Sequence, residues 1–527
     1  MLLTNARIYT MDAAGSVADT LVVRAGRVAF AGRRGEVNAA PGEPVLDLEG
    51  RAVLPGLVDG HAHLMHLARA RLSLDATGLR SEAAVAERVA AEAARAAPGE
   101  WISGRGWDQN LWPGKAFPSR ASLDRAAPRH PVALTRIDGH ATWVNAAALA
   151  AAGITRHTAD PAGGIIARDR DGEVTGLLVD AAQRLVHTVL PRPSDERFDR
   201  AVRESIDECL AKGLTGIHEM GADRWAIAAY RRLIARGQFP FRNYAALGLR
   251  SAAGWDEAAE VAPEPGDADG RLVVGAVKLW LDGALGSRGA ALHSPYCDDP
   301  GNAGLLLVPP DELARVVTEA SARGFQVCVH AIGDRANTLA LDAFARAFGG
   351  ARDHRARVEH AQILTEADVA RFRALGVLPS MQATHCTSDM AWAEERLGPD
   401  RLRFAYAWRS LLATGALIAG GSDFPVEDAN PFLGLSASVT RRPPGAEDRG
   451  WQPEQRMTRE EAVRSFTTWN ARAAFQEREL GSLEPGKRAD LIALSEDVFA
   501  CPEERIAQIR PVLTMVGGDV VFRAPTR

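Results

Sequence analysis

His61 and His63 stand one residue apart in LPGLVDGHAHL (54–64), just after an apolar run that glycines interrupt. Alternate side chains of a strand leave from the same face, so the pair can aim at one object if the strand ends there. Neutral imidazoles converging on a point suit a borderline-soft cation such as zinc. Taken alone, such a pair is as readily a chance feature of a solvated strand, and the reading depends on whether other segments supply ligands.

They do. Residues able to bind metal terminate one apolar run after another: His218 in GIHEMG, Lys278 in VGAVKLWLDG, His330 in QVCVHAIGD, His360 in RVEHAQIL and Asp423 in IAGGSDFPV. Each has an ordinary explanation by itself. His330 and His360 could be hydrogen-bonded core histidines, and Asp423 could cap the segment that follows it. Lys278 is harder to dismiss, because a lysine inside an apolar strand must snorkel, neutralise or be paired. Chance does not place such residues at five or more strand ends, so the metal reading outweighs the separate ones.

The elements that must position them follow from periodicity. Residues 1–53 and the last 45 or so alternate short apolar runs with turn residues, which reads as short strands contributed by both termini to one small β domain. The long middle alternates apolar strand-like runs with Ala-, Arg-, Leu- and Glu-rich helical stretches. Repeated units of this kind indicate α/β architecture, and their number favours a barrel over an open sheet. The carboxyl ends of a barrel's strands surround its active site, so residues remote in sequence would share one mouth.

On these residues the chain resembles the metal-dependent amidohydrolase superfamily, and within it the amidohydrolase 3 group that includes N-substituted formamide deformylases. The motifs that carry the resemblance span nearly the whole chain: LPGLVDGHAHL, LTRIDGHATWVNAAAL, VKLWLDGALGSRGAAL, VHAIGDRAN, RVEHAQI, GGSDFPV with NPFLGL, and LGSLEPGKRADL. The resemblance implies a distorted (β/α)8 TIM barrel over 54–478, with an insertion at about 75–130, joined to a small β sandwich built from 1–53 and 479–527. It implies His61 and His63 at the end of the first strand holding a buried metal with Asp423 at the end of the eighth. Lys278 would end the fourth strand and carry a carbamate that bridges a binuclear centre. His330 and His360 would end the fifth and sixth strands and hold the second ion. Two zinc ions are expected, in a ligand set that manganese, iron or cobalt can also occupy.

Two divalent ions about 3.5–4 Å apart lower the pKa of a shared water and polarise a carbonyl. Asp423 would take the water's proton and deliver it to a leaving nitrogen. The expected reaction is hydrolysis of a small-molecule amide, an N-acyl or N-formyl amine. Hydrolysis of a cyclic amide, carbamate or ester is the alternative on the same site, and a non-catalytic metal-binding regulatory protein the alternative of another class. His140, in RIDGHATWVN near the presumed second strand end, either hydrogen-bonds the substrate carbonyl or is an ordinary loop histidine. Trp107 and Asp108, in GRGWDQNLW, either line the pocket or pack. Arg288 contacts an anionic substrate group or makes a structural salt bridge. His218, at the presumed third strand end, supports the site from outside the ligand set.

Composition sets the outer bounds. A chain of 527 residues, 46% hydrophobic and 24% charged, has ample material for a large core. A net charge of −5 with scattered arginines favours neither nucleic acid nor a membrane surface. Five widely spaced cysteines without a C-x-x-C pair read as reduced thiols, and no apolar stretch approaches a membrane span. A cytoplasmic location is the default expectation, and a homodimer a family-level one.

Overall fold

The computed structural model describes residues 1–37, 39–137, 139, 141–161, 163–249, 262–350 and 353–525. The chain divides into two compact units. One comprises Met1–Met65 with Arg203–Arg527, and the other His66–Val202.

The first unit contains an eight-stranded parallel sheet whose strands follow chain order: β1 (Leu57–Ala62), β2 (Leu214–Ala222), β3 (Arg242–Leu249), β4 (Leu272–Trp280), β5 (Gln326–Ala331), β6 (Arg357–His360), β7 (Leu378–Gln382) and β8 (Ala419–Gly421). β1 and β6 are buried along their full length, as strands covered on both faces must be. Helices such as Arg224–Ala235, Pro310–Ala322 and Asp334–Phe348 fill the connections. Their starts are written locally: Asp223 accepts from Ala226 N, and Thr365 from Asp368 N ahead of Glu366–Leu375.

The barrel closes between β8 and β1 through Asp423 N to His61 O (2.7 Å) and His63 N to Phe424 O (2.9 Å). Glycine makes that approach feasible. A Cβ on Gly421 would lie 2.5 Å from His61 N.

Strands from the two termini meet in a second eight-stranded sheet. Leu491–Leu494 pairs antiparallel with Val45–Pro55, which runs parallel to Leu2–Tyr9. The other unit carries a six-stranded sheet that includes Val132–Arg136 and Ala141–Val144. Two readings of the sequence are corrected by this. The run ending near His140 is not the second barrel strand, so His218 lies on the second strand and not the third. The excursion that separates β1 from β2 is also longer than the 75–130 segment. The error has a plain cause: VALTR and ATWV have the same apolar, β-branched composition as barrel strands, and periodicity does not reveal which sheet a strand joins.

Candidate metal centre

β1 delivers His61 and His63, β4 Lys278, β5 His330 and β6 His360, while Asp423 follows β8. Lys278, His330, His360 and Asp423 thus occupy the fourth, fifth, sixth and eighth strand ends that the sequence reading assigned to them. Ligand atoms of His61, His360 and Asp423 all lie within 4.8 Å of one another. His63 Nε2 is 2.9 Å and His61 Nε2 3.5 Å from Asp423 Oδ1. The His330 ring sits 4.6 Å from that of His360, centroid to centroid. His360 and Asp423 both adopt left-handed backbone, with φ of 75° and 64°. Non-glycine residues seldom do so, and such strain gathers at functional sites.

The surrounding bonds decide what each imidazole can offer. Glu359 Oε2 lies 2.6 Å from His61 Nδ1, and a carboxylate there takes the Nδ1–H, leaving the lone pair on Nε2. Gln382 Oε1 does the same for His360 at 2.8 Å. His330 Nε2 faces Asp282 Oδ1 at 3.4 Å, which turns its Nδ1 lone pair the other way. Asp282 is itself fixed by three backbone amides, Ala291, Ile332 and Gly333.

Electrostatics prepares the same groups. Burial, with Lys278 nearby, pushes His61 down to about 3, so its imidazole is neutral. Burial and His330 hold His360 well below its ordinary value. For Asp423, burial opposes ionisation, but the neighbouring His61 and His63 outweigh it and keep the carboxyl below its usual range. Lys278 is wholly buried, which lowers its pKa, and Nζ has no hydrogen-bond partner among the described residues. Neutral imidazoles with free lone pairs, an ionised carboxylate and an unsatisfied buried amine fit a divalent cation.

His218 is excluded as a ligand by its tautomer. Arg357 Nη1 lies 2.9 Å from His218 Nδ1, and arginine can only donate, so the proton resides on Nε2. The sequence reading placed His218 outside the ligand set; it did not identify Arg357, Glu359, Asp59, Gln382 or His385. Arg357 and Glu359 are fully buried and paired (Nε to Oε1, 2.8 Å) beneath His61.

The remaining candidates behave otherwise. Trp107 is completely buried, donates from Nε1 to Leu134 O (2.7 Å) and packs on Trp112 and Trp143, so it is core and not pocket lining. Asp108 caps a short turn through Asn110 N and pairs with Arg136 at 3.1 Å. Arg288 makes the structural salt bridge, to Asp298 at 2.8 Å. His140 lies outside the described residues.

The model of the amidohydrolase family matches residues 44–522. The chain belongs to the amidohydrolase family. Among its relatives is the N-substituted formamide deformylase of Arthrobacter pascens, 30% identical over 98% of this chain and 97% of that protein. Another is the protein LONG AFTER FAR-RED 3 of Arabidopsis thaliana, 35% identical over 94% of this chain and 87% of that one. An uncharacterized metal-dependent hydrolase from Pyrococcus furiosus superposes with a TM-score of 0.79 at 28% identity, covering 94% and 99% of the two chains. This amidohydrolase therefore has the fold of metal-dependent hydrolases, with a candidate His/Asp metal group where β1, β6 and β8 end.

Proposed function

We propose that this amidohydrolase hydrolyses the C–N bond of a small N-acyl or N-formyl amine. The observation that carries the reading is the convergence of His61, His360 and Asp423 with a buried Lys278 whose Nζ has no hydrogen-bond partner among the described residues. The full-length similarity to a formamide deformylase supports the substrate class. His61, His63 and Asp423 would hold one cation, His330 and His360 a second, and Lys278 would bridge them as a carbamate. Zinc suits the imidazoles, and manganese, iron or cobalt also suit such a mixed set. Bound there, divalent cations would polarise the scissile carbonyl and lower the pKa of a nearby water.

The chain's own groups do the rest. Asp423, ionised and at the mouth, accepts a proton from the attacking water as its oxygen bonds to the carbonyl carbon. When the C–N bond breaks, the same proton passes to the leaving nitrogen, so a carboxylic acid and a free amine depart. Glu359 and Gln382 keep His61 and His360 in the ligating tautomer throughout.

Metal analysis of purified protein, chelation and re-addition, and a screen of formamides, acetamides, N-acyl amino acids and cyclic amides test the reading. Turnover of an open-chain amide that chelation abolishes and metal restores is the expected result. The variant K278A should lose one or both ions. A metal-free protein indifferent to chelators, or full metal content and activity in K278A, would overturn the reading. Preference for a ring amide, carbamate or ester would move it to another carbonyl on the same site.

A further inference from the structure

His385 stands in the helix Ala383–Asp389, which starts directly after β7 and so at the mouth of the barrel. It is 9% exposed, and its ring lies nearly parallel to that of His360, 16° between planes and 5.9 Å between centroids. Gln362 Nε2 is 3.2 Å from its Nδ1. An amide N–H donates there, which leaves the imidazole proton on Nε2. The other end of the ring agrees, because Nε2 faces a carboxylate oxygen, Asp423 Oδ2, at 3.6 Å.

That distance is too long for a closed hydrogen bond. Nε2 has no partner among the described residues. Buried donors are paired in native proteins, so an oriented donor next to the proton-accepting carboxylate is set for an oxygen that arrives with the substrate. Two oxygens come that close to Asp423 in an amide hydrolysis, the attacking water's and the carbonyl's. A fixed donor on the water would weaken it as a nucleophile. On the carbonyl oxygen it would stabilise the charge that grows as the carbon becomes tetrahedral.

We propose that His385 is a catalytic residue of this amidohydrolase, an imidazole that donates from Nε2 to the scissile carbonyl oxygen. The sequence offers His140 for that contact; His385 has the geometry for it, and Gln362 is the residue that sets its tautomer. The proposal rests on the amide-hydrolase reading above.

His385→Ala and His385→Gln decide it, assayed beside the wild type for metal content, kcat and KM on an N-formyl amine, and calorimetric affinity for a methylphosphonate anion as tetrahedral mimic. His385→Ala should keep its metal, lose about a hundred- to a thousandfold in kcat with little change in KM, and bind the phosphonate at least about tenfold more weakly. His385→Gln, which retains a donor, should recover part of both. Wild-type kcat and phosphonate affinity in His385→Ala overturn the proposal, as does loss of metal from both variants, which would make His385 a support of the centre. If the wild type turns over no amide, the hydrolase reading fails, and the phosphonate affinities alone still decide His385.

Discussion

Glu359 shows how much of the centre depends on residues that never reach its mouth. Its carboxylate accepts from His61 Nδ1 and pairs with Arg357, all three groups being completely buried. Burial alone would raise its pKa, but Arg357 and His61 outweigh that and hold it ionised. The variant E359Q should therefore weaken metal binding by about 10- to 100-fold, because an uncharged amide oxygen is a poorer acceptor for His61 Nδ1–H than the carboxylate and no longer raises the basicity of Nε2. Leaving Arg357 buried without its counter-charge should also cost about 3–5 kcal/mol of stability. Metal titration and thermal melts of E359Q check both, and an unchanged metal affinity would contradict the first. The candidate ligands were legible because each is a polar residue at or near the end of an apolar run. Arg357 and Glu359 were missed although a signal existed: in RVEH two charges stand at period two, and in a strand buried on both faces they must pair inside the barrel.

At the scale of elements, Asp59 ties the first strand to the end of the last. It accepts from His61 N at 3.0 Å and from Ser422 N and Oγ, the latter at 2.6 Å, across the seam where the barrel closes. Burial pushes its pKa up to about 7, against the pull of these donors. Removing the acceptor with Asp59→Ala should strand three buried donors and destabilise by about 2–5 kcal/mol. It should also lower metal affinity, since His61 and Asp423 would lose their shared frame. A melting temperature and metal affinity equal to the wild type's would show that the backbone bonds close the seam unaided. The alternation of helix and strand made the barrel readable, whereas the strand numbers of Lys278, His330, His360 and Asp423 came from the family resemblance. Which strand-like runs belong to the barrel was not readable, because partner choice is a long-range property: Val132–Arg136 pairs with Ala141–Val144 and with Ile102–Trp107.

Over the first unit as a whole, the sheet built from both termini is fastened to the barrel by a buried ion pair. Arg242, at the start of β3, bonds Asp490 through both Nε and Nη2, the second at 2.8 Å, and Gly517 N adds a third donor at 2.7 Å. Asp490 immediately precedes the strand Leu491–Leu494 that pairs with Val45–Pro55. The pair thus joins residues 248 positions apart. Burial opposes the ionisation of Asp490, but Arg242 overcomes it and holds the carboxyl below its ordinary value. A carboxyl depressed in the folded state contributes stability that is complete above its unfolded pKa of about 4 and is lost as pH falls through the folded value. Arg242, raised by the same pair, loses its share only in strong alkali. The variant D490N should accordingly be about 3–5 kcal/mol less stable than the wild type at pH 7, where a buried guanidinium is left without its charge. Below about pH 4 the gap should narrow, since protonation gives the wild type the same defect. Urea titrations of both proteins at pH 7 and at successive steps below 4 measure it, and a gap that stays constant with pH would show that Asp490 acts through its hydrogen bonds and not through its charge.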